Sequence, residues 1–150
     1  MSMKTANHLN ITKTHFGVYG AVIKNNKILL IKKARGPYTG LYDLPGGSPE
    51  PGESYQQTLA REMMEETGCT VVKAENERSE TIIFSNFTKA SGETGVLQHT
   101  AVLYDVTVKG EPQTTGDGLD SNGALWFDLK NLSTENATPF ALIAAKNIDK

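Results

Sequence analysis

The chain carries a single cysteine, Cys69, among its 150 residues. No intrachain disulfide can form, and a reducing compartment is the simplest home for such a protein. It also has no apolar run approaching the ~18 residues that a membrane helix needs, and its N-terminus has no signal-peptide core. The expectation is a soluble, cytoplasmic protein with no membrane partner. Neither sign of charge is in excess, since 15 Lys and Arg face 17 Asp and Glu for a net charge of -2. That balance argues against a nucleic acid polymer as partner and favours a small molecule. Histidines are few and unclustered, and neither repeats nor low-complexity tracts occur. The length suits one domain over residues 1–150, with residues 1–14 read as a loose N-terminal arm or short leading strand.

The rest of the chain alternates strand and helix signals. Phe16 to Ile23 and Ile28 to Ile31 read as two strands joined at Lys24-Asn25-Asn26-Lys27, where asparagine tolerates the positive φ of a tight hairpin turn. Glycine and proline then mark loops on either side of Leu41 to Gly47. Ser54 with Gln57 three residues on forms a capping-box pattern, and Gly68 suits the left-handed residue that ends a helix, which predicts a helix between them. Val71-Val72, Thr81 to Phe87, Leu97 to Val108 and Ala124 to Leu129 read as further strands, with Ser91 to Gly95 as a turn. Gly110 to Gly123 is a polar loop long enough to be functional. Thr138-Pro139 opens a last helix with Phe140, Ile143 and Ala144 as its buried stripe. The expected fold class is α/β with a mixed sheet.

The predicted first helix carries Glu62, Glu65 and Glu66. Positions i, i+3 and i+4 share a helix face, so three like charges crowd together unless a cation joins them. Hard divalent cations take oxygen ligands, and magnesium combines carboxylates with water and substrate phosphate. Leu59, Ala60, Met63 and Met64 are expected to form the packing arc on the side away from the glutamates. Gly46-Gly47 lets the backbone turn tightly and offers a carbonyl ligand. The Arg61 guanidinium can hold Glu65 in a fixed orientation, and Glu53 adds a fourth carboxylate, through water or through Arg61.

Taken together, Gly47-x5-Glu53-x7-Arg61-Glu62-Met63-Met64-Glu65-Glu66-Thr67-Gly68-Cys69 resembles the Nudix box, with every fixed position filled. Seven specified residue types at ~6% abundance each make a chance match on the order of one in 10^8 per starting position. Leu41 to Gly46 also resembles the strand that approaches the box in this family, and Ala124 to Phe127 a strand near its end. The resemblance implies an α/β/α sandwich and a hydrolase that cleaves a diphosphate bond in a nucleoside diphosphate derivative by water attack on phosphorus, using Mg2+ or Mn2+. It implies Glu62, Glu65, Glu66 and the Gly46 carbonyl as metal ligands, with Glu62 or Glu65 taking a proton from the attacking water.

Substrate contacts are expected from Lys33 and Arg35, which follow the second strand where the family sets a basic residue against phosphate, and from Glu93 in a turn. Lys33 and Arg35 are weighed against ordinary surface charge, and Glu93 against a solvated turn. His99 reads as a core or edge histidine rather than a ligand, and Trp126, Phe84 and Phe87, weighed against stacking on a nucleobase, read as core residues. No ADP-ribose, coenzyme A or NADH signature follows the box, which favours a nucleoside triphosphate or oxidised nucleotide over ADP-ribose, sugar nucleotides and dinucleoside polyphosphates. Two readings from other classes compete: a non-catalytic nucleotide sensor, opposed by the intact box, and an isoprenoid diphosphate isomerase, opposed by the placement of Cys69. Either a monomer or a homodimer fits the sequence.

Overall fold

A computed structural model describes residues 11–34, 38–88, 91–114 and 121–146. Its elements are β1 (Ile11–Ala21), β2 (Ile23–Lys24), β3 (Lys27–Lys33), β4 (Tyr42–Asp43), β5 (Gly46–Gly47), α1 (Tyr55–Thr67), β6 (Thr70–Thr88), β7 (Thr94–Lys109), β8 (Ser121–Asp128) and α2 (Pro139–Lys146). One sheet has the order β5-β1-β7-β6 and is mixed, because β1 and β7 run parallel while the other pairs are antiparallel. In a second, antiparallel sheet, β3 pairs with β2 and β4 and also with β8.

Strand alternation sorts the core into two layers. Val18, Val22, Val102, Tyr104 and Val106 pack with Leu59 and Met63 of α1, whereas Tyr19, Ala21, Ala101 and Leu103 pack with Phe140, Ala141 and Ala144 of α2. The mixed sheet thus lies between the helices, as the resemblance implied.

The β2–β3 connection is the expected two-residue hairpin: Asn25 and Asn26 have φ of 54° and 64°, and Lys24 pairs with Lys27. Positive φ at both central residues is what a type I′ turn requires. Thr138 caps α2, accepting from the Ala141 amide at 3.3 Å and donating to Asp43 Oδ1 at 2.6 Å. Its buried stripe is Phe140, Ala141 and Ala144, with Ile143 only partly buried.

Two boundaries differ from the sequence reading. The first strand already includes Ile11 rather than opening at Phe16, so residues 11–14 follow the leading-strand alternative and not the loose arm: Ile11, Lys13 and Thr14 pair with Val96, Leu97 and Gln98. Backbone ladder bonds hold this exposed stretch, and they leave no apolar mark in the sequence. Likewise β6 is one strand, not two separated by a polar gap. Its polar middle follows the edge of the sheet with irregular register between Glu75 and Arg78, where Asn76 has a φ of 57°. Charges and bulges are common on edge strands because they discourage pairing with other chains.

Candidate active site

Helix α1 is fixed at both ends by its own sequence. The Gln57 amide donates to Ser54 Oγ at 3.1 Å, and the Ser54 amide donates to Gln57 Oε1 at 2.8 Å, closing the capping box. At the other end Gly68 takes φ 78° and its amide donates to the Met64 carbonyl at 3.0 Å. The buried face between these caps comprises Thr58, Leu59, Glu62, Met63, Glu66 and Thr67.

This corrects the expected division of the helix. Ala60 is exposed and Met64 is 47% exposed, whereas Glu62 and Glu66 are buried alongside Leu59 and Met63. At ~100° per residue, Glu66 lies seven residues and nearly two full turns beyond Leu59, on the same side rather than the opposite one. Two of the three carboxylates are therefore pushed into the protein, and only Glu65 is left largely exposed.

The buried pair meets β5. Glu66 Oε1 accepts the Gly46 amide at 2.8 Å, and a Cβ at Gly47 would sit 1.6 Å from Glu62 Oε2. Only glycine admits a carboxylate so close to the backbone. Beside them Arg61 binds Glu53 through two parallel bonds of 2.7 and 3.0 Å and donates to the Ser48 carbonyl at 3.2 Å. Its contacts with Glu65 are longer, at 3.4 and 3.5 Å, and Glu62 Oε1 lies 3.5 Å away. Arg61 thus ties the loop before α1 to the helix mainly through Glu53, with Glu65 as a secondary partner. The sequence pointed to Arg61 as the organiser but missed Thr58, which donates to Glu53 Oε1 at 2.8 Å from inside the helix. Its place four residues after the N-cap was the available signal.

Electrostatics divide these carboxylates. The Arg61 bonds, followed by the Glu50 amide, hold Glu53 down to about 2. Glu66 moves the opposite way, pushed up to about 9 by burial and further by Glu62, against the lowering effect of the Gly46 amide. A buried acid in that state lacks a compensating positive charge. Among the described residues no three His, Cys, Asp or Glu side chains form a ready-made cation cage. Even so, the donor set fits a hard divalent cation: carboxylate oxygens only, two of them buried against a glycine turn, with a raised pKa that a cation would relieve.

Lys33 lies within electrostatic reach of this cluster, its charge favouring the ionised forms of Glu66 and the fully buried Asp43. Arg35 lies outside the described residues, as does the segment 115–120 of the polar loop. Glu93 sits in the exposed β6–β7 turn against Ser91, ten residues before Leu103, which is level with Tyr19 and Gly46. At ~3.3 Å per residue that is about 30 Å of strand, so the structure does not bring Glu93 beside the glutamates. Trp126 is half-buried against the α1 layer, consistent with its core reading.

His99 is a buried core residue as expected, 2% exposed, but it is bonded at both ring nitrogens. Nε2 lies 3.1 Å from the Tyr19 hydroxyl and Nδ1 3.2 Å from the Tyr38 hydroxyl. Neither tyrosine was singled out by sequence, since the three residues meet only through the fold. Burial, then the nearby His15 and Lys33 charges, pulls the His99 pKa down to about 3. Below pH ~6.5 the unfolded chain therefore takes up a proton that the folded chain refuses, and stability falls as pH falls, by up to about 1.4 kcal/mol per pH unit. Urea unfolding between pH 6.5 and 4.5 should show this slope reduced in His99→Gln. An identical slope in the variant would contradict a neutral buried imidazole.

The NUDIX domain family model matches residues 13–148. The chain belongs to the Nudix family. Among curated relatives it is 35% identical over 116 residues to an ADP-ribose pyrophosphatase of Methanocaldococcus jannaschii, covering 77% of this chain and 62% of that protein. It is also 47% identical over 45 residues to a putative 8-oxo-dGTP diphosphatase of Bacillus subtilis, covering 30% of this chain and 28% of that protein. The match thus spans less than two thirds of the length of each of these relatives. Among solved structures, a MutT NUDIX hydrolase from Burkholderia pseudomallei superposes with TM-score 0.69 at 26% identity, covering 90% of this chain and 98% of that chain. The MutT protein of Methanosarcina mazei Go1 shares the Nudix fold at TM-score 0.67 and 22% identity, covering 94% and 96% of the two chains.

Proposed function

We propose that this Nudix protein hydrolyses a diphosphate bond in a nucleoside diphosphate derivative. The observation that carries the reading is the pair of buried carboxylates, Glu62 and Glu66, aimed at the Gly46-Gly47 turn and flanked by the Arg61–Glu53 clamp. Burying two acids together is costly unless a positive charge joins them. Glu62, Glu65, Glu66 and the Gly46 carbonyl would hold Mg2+ or Mn2+, which when bound neutralises phosphate charge and activates water.

The chain's own residues then divide the remaining work. Arg61 and Glu53 fix the start of α1 against the loop at Ser48, so that the glutamates are aligned before substrate arrives. Glu65, exposed and resting on Arg61, has the open route to solvent and is assigned to accept the proton from attacking water. Lys33 is assigned to substrate phosphate, since its charge already acts on Glu66. Lys33→Ala should raise KM about tenfold while kcat changes less than about twofold; an unchanged KM would remove Lys33 from the binding role.

Two substrate readings are supported by separate observations. The sequence favours a nucleoside triphosphate or an oxidised nucleotide, in line with the short match to a putative 8-oxo-dGTP diphosphatase. The longer alignment, to an archaeal ADP-ribose pyrophosphatase, supports ADP-ribose. Phosphate and nucleoside monophosphate release measured with Mg2+ and with Mn2+ over triphosphates, 8-oxo-dGTP, ADP-ribose and sugar nucleotides distinguishes them. Tight binding without turnover of any member would instead establish a nucleotide sensor.

A further inference from the structure

Strand β1 runs beside β7 only as far as the Ala21–Asp105 pair. There the chain turns at Val22 and continues as β2, which pairs with β3 through Ile23 and Ile28. The Val22 carbonyl goes with it, accepting the Leu29 amide at 2.9 Å. β7 does not follow. It runs on to Lys109 with β6 on one side, Val106 opposite Ala74 and Val108 opposite Val71, and among the described residues no strand pairs with its other edge. The two strands therefore splay, and the wedge between them is a cavity of about 420 Å³. That volume lies within the ~300–1,000 Å³ range of small-ligand sites.

The wedge has two kinds of surface. Val22, Val106 and the half-buried indole of Trp126 belong to the layer that packs on α1, and they supply an apolar wall with a flat aromatic element. Lys24 and Lys109 come from the two strands that splay, and both are exposed. Glu111 also lines the wedge, yet among the described residues neither lysine forms an ion pair with it or with any other carboxylate. A negative group between the two lysines would satisfy both, and a planar ring suits the indole beside them. The unpartnered edge of β7 adds main-chain N–H and C=O groups.

This cavity is separate from the glutamates. Gly46 joins β1 at Tyr19, and Val22 lies three residues further on, about 10 Å along the strand. Gly46, Gly47, Ser48, Glu53 and Arg61, which surround the glutamates, do not line it. Its rim at Gly110 instead adjoins the end of α1, where the Cys69 thiol donates to the Gly110 carbonyl at 3.6 Å.

We propose that the wedge between β2 and β7 is a second, non-catalytic binding site for a nucleoside monophosphate, its base stacked on Trp126 and its phosphate held between Lys24 and Lys109. The aromatic wall and the paired cations match the two halves of such a molecule. The free stretch of β7, Val106 to Lys109, is shorter than an ordinary strand of ~5–6 residues, which favours a small molecule over an added peptide strand. The site stands on its own geometry and does not rest on the hydrolase reading.

Trp126 is the only tryptophan in the chain, so the single indole N–H resonance in a 1H–15N spectrum reports on the cavity. AMP, GMP, CMP and UMP are titrated in EDTA, without divalent cation, beside ribose 5-phosphate and the corresponding nucleosides. At least one nucleotide should shift the indole resonance saturably with a Kd at or below about 1 mM, about tenfold or more tightly than ribose 5-phosphate or its own nucleoside. Lys24→Gln combined with Lys109→Gln should weaken that nucleotide about tenfold, leave its nucleoside unchanged and unfold at the wild-type temperature. Lys33→Ala, which changes the glutamate side of the molecule, should leave the titration as it is. The proposal is overturned if no nucleotide moves the indole resonance at about 10 mM, or if ribose 5-phosphate matches the nucleotide. It is equally overturned if the double lysine variant binds like the wild type, or if Lys33→Ala removes the shift.

Discussion

Glu66→Gln should lower kcat/KM on every diphosphate substrate by about a thousandfold, and yet make the cation-free protein more stable at pH 8. The two effects have one cause. Glu66 is 3% exposed and sits beside Glu62, and its pKa is pushed up to about 9. Because its pKa is raised on folding, the folded chain holds a proton that the unfolded chain has released above pH ~4.5. Stability of the cation-free protein therefore declines as pH rises from about 4.5 toward 9. Glutamine removes that penalty, on the order of 2–4 kcal/mol at pH 8, while its side-chain oxygen still accepts the Gly46 amide. A divalent cation acts on the same term by replacing the proton. In the wild type, the rise in melting temperature on adding MgCl2 or MnCl2 should therefore be larger at pH 8.5 than at pH 6, and in Glu66→Gln it should shrink at both. Wild-type turnover in the variant, or an unchanged cation-dependent rise, would take Glu66 out of the metal site.

Gly46→Ala should cost the fold about 3 kcal/mol or more, whereas Gly47→Ala should leave the fold standing and remove activity. These neighbours differ in what a methyl group would meet. At Gly46 the added Cβ falls 2.1 Å from the Val18 carbonyl oxygen and 2.6 Å from the Tyr19 Cα, both main-chain atoms of the strand with which β5 pairs. The backbone cannot yield there without breaking the β1–β5 pairing and the amide bond to Glu66. At Gly47 the obstruction is the end of a side chain, Glu62 Oε2 at 1.6 Å, which can rotate away. Rotation preserves packing but takes that carboxylate off the glycine turn. Chemical unfolding and hydrolysis assays on the two variants read the difference; equal loss of stability in both would show that the turn is not discriminated in this way.

Helix α1 was the most legible part of the chain, because its determinants are local. Ser54, Gln57 and Gly68 set its ends through bonds spanning three or four residues, and Asn25-Asn26 specified a hairpin by the same short-range logic. The box spacing likewise marked Glu53 and Arg61 as partners, although which carboxylate Arg61 grips most closely depended on how the preceding loop folds back to present Glu53. Less legible was any segment whose stability comes from ladder bonds rather than apolar side chains. The start of β1 and the polar middle of β6 look like loop in sequence and are strand in the structure.

By itself the sequence determined the family-type helix, its caps and the identity of the four acids and one arginine around it, since those follow from spacing along a single element. Only the tertiary structure decided which acids are buried. Glu62 and Glu66 turn inward because the face they share with Leu59 and Met63 is the one the sheet covers, and Glu65 stays outside because its angle on the helix carries it past the edge of that contact. The tertiary structure alone also joined Tyr19, Tyr38 and His99, residues 61 to 80 positions apart along the chain for the two bonds to His99. Hydrogen bonds over such separations depend on strand register, which no local pattern encodes.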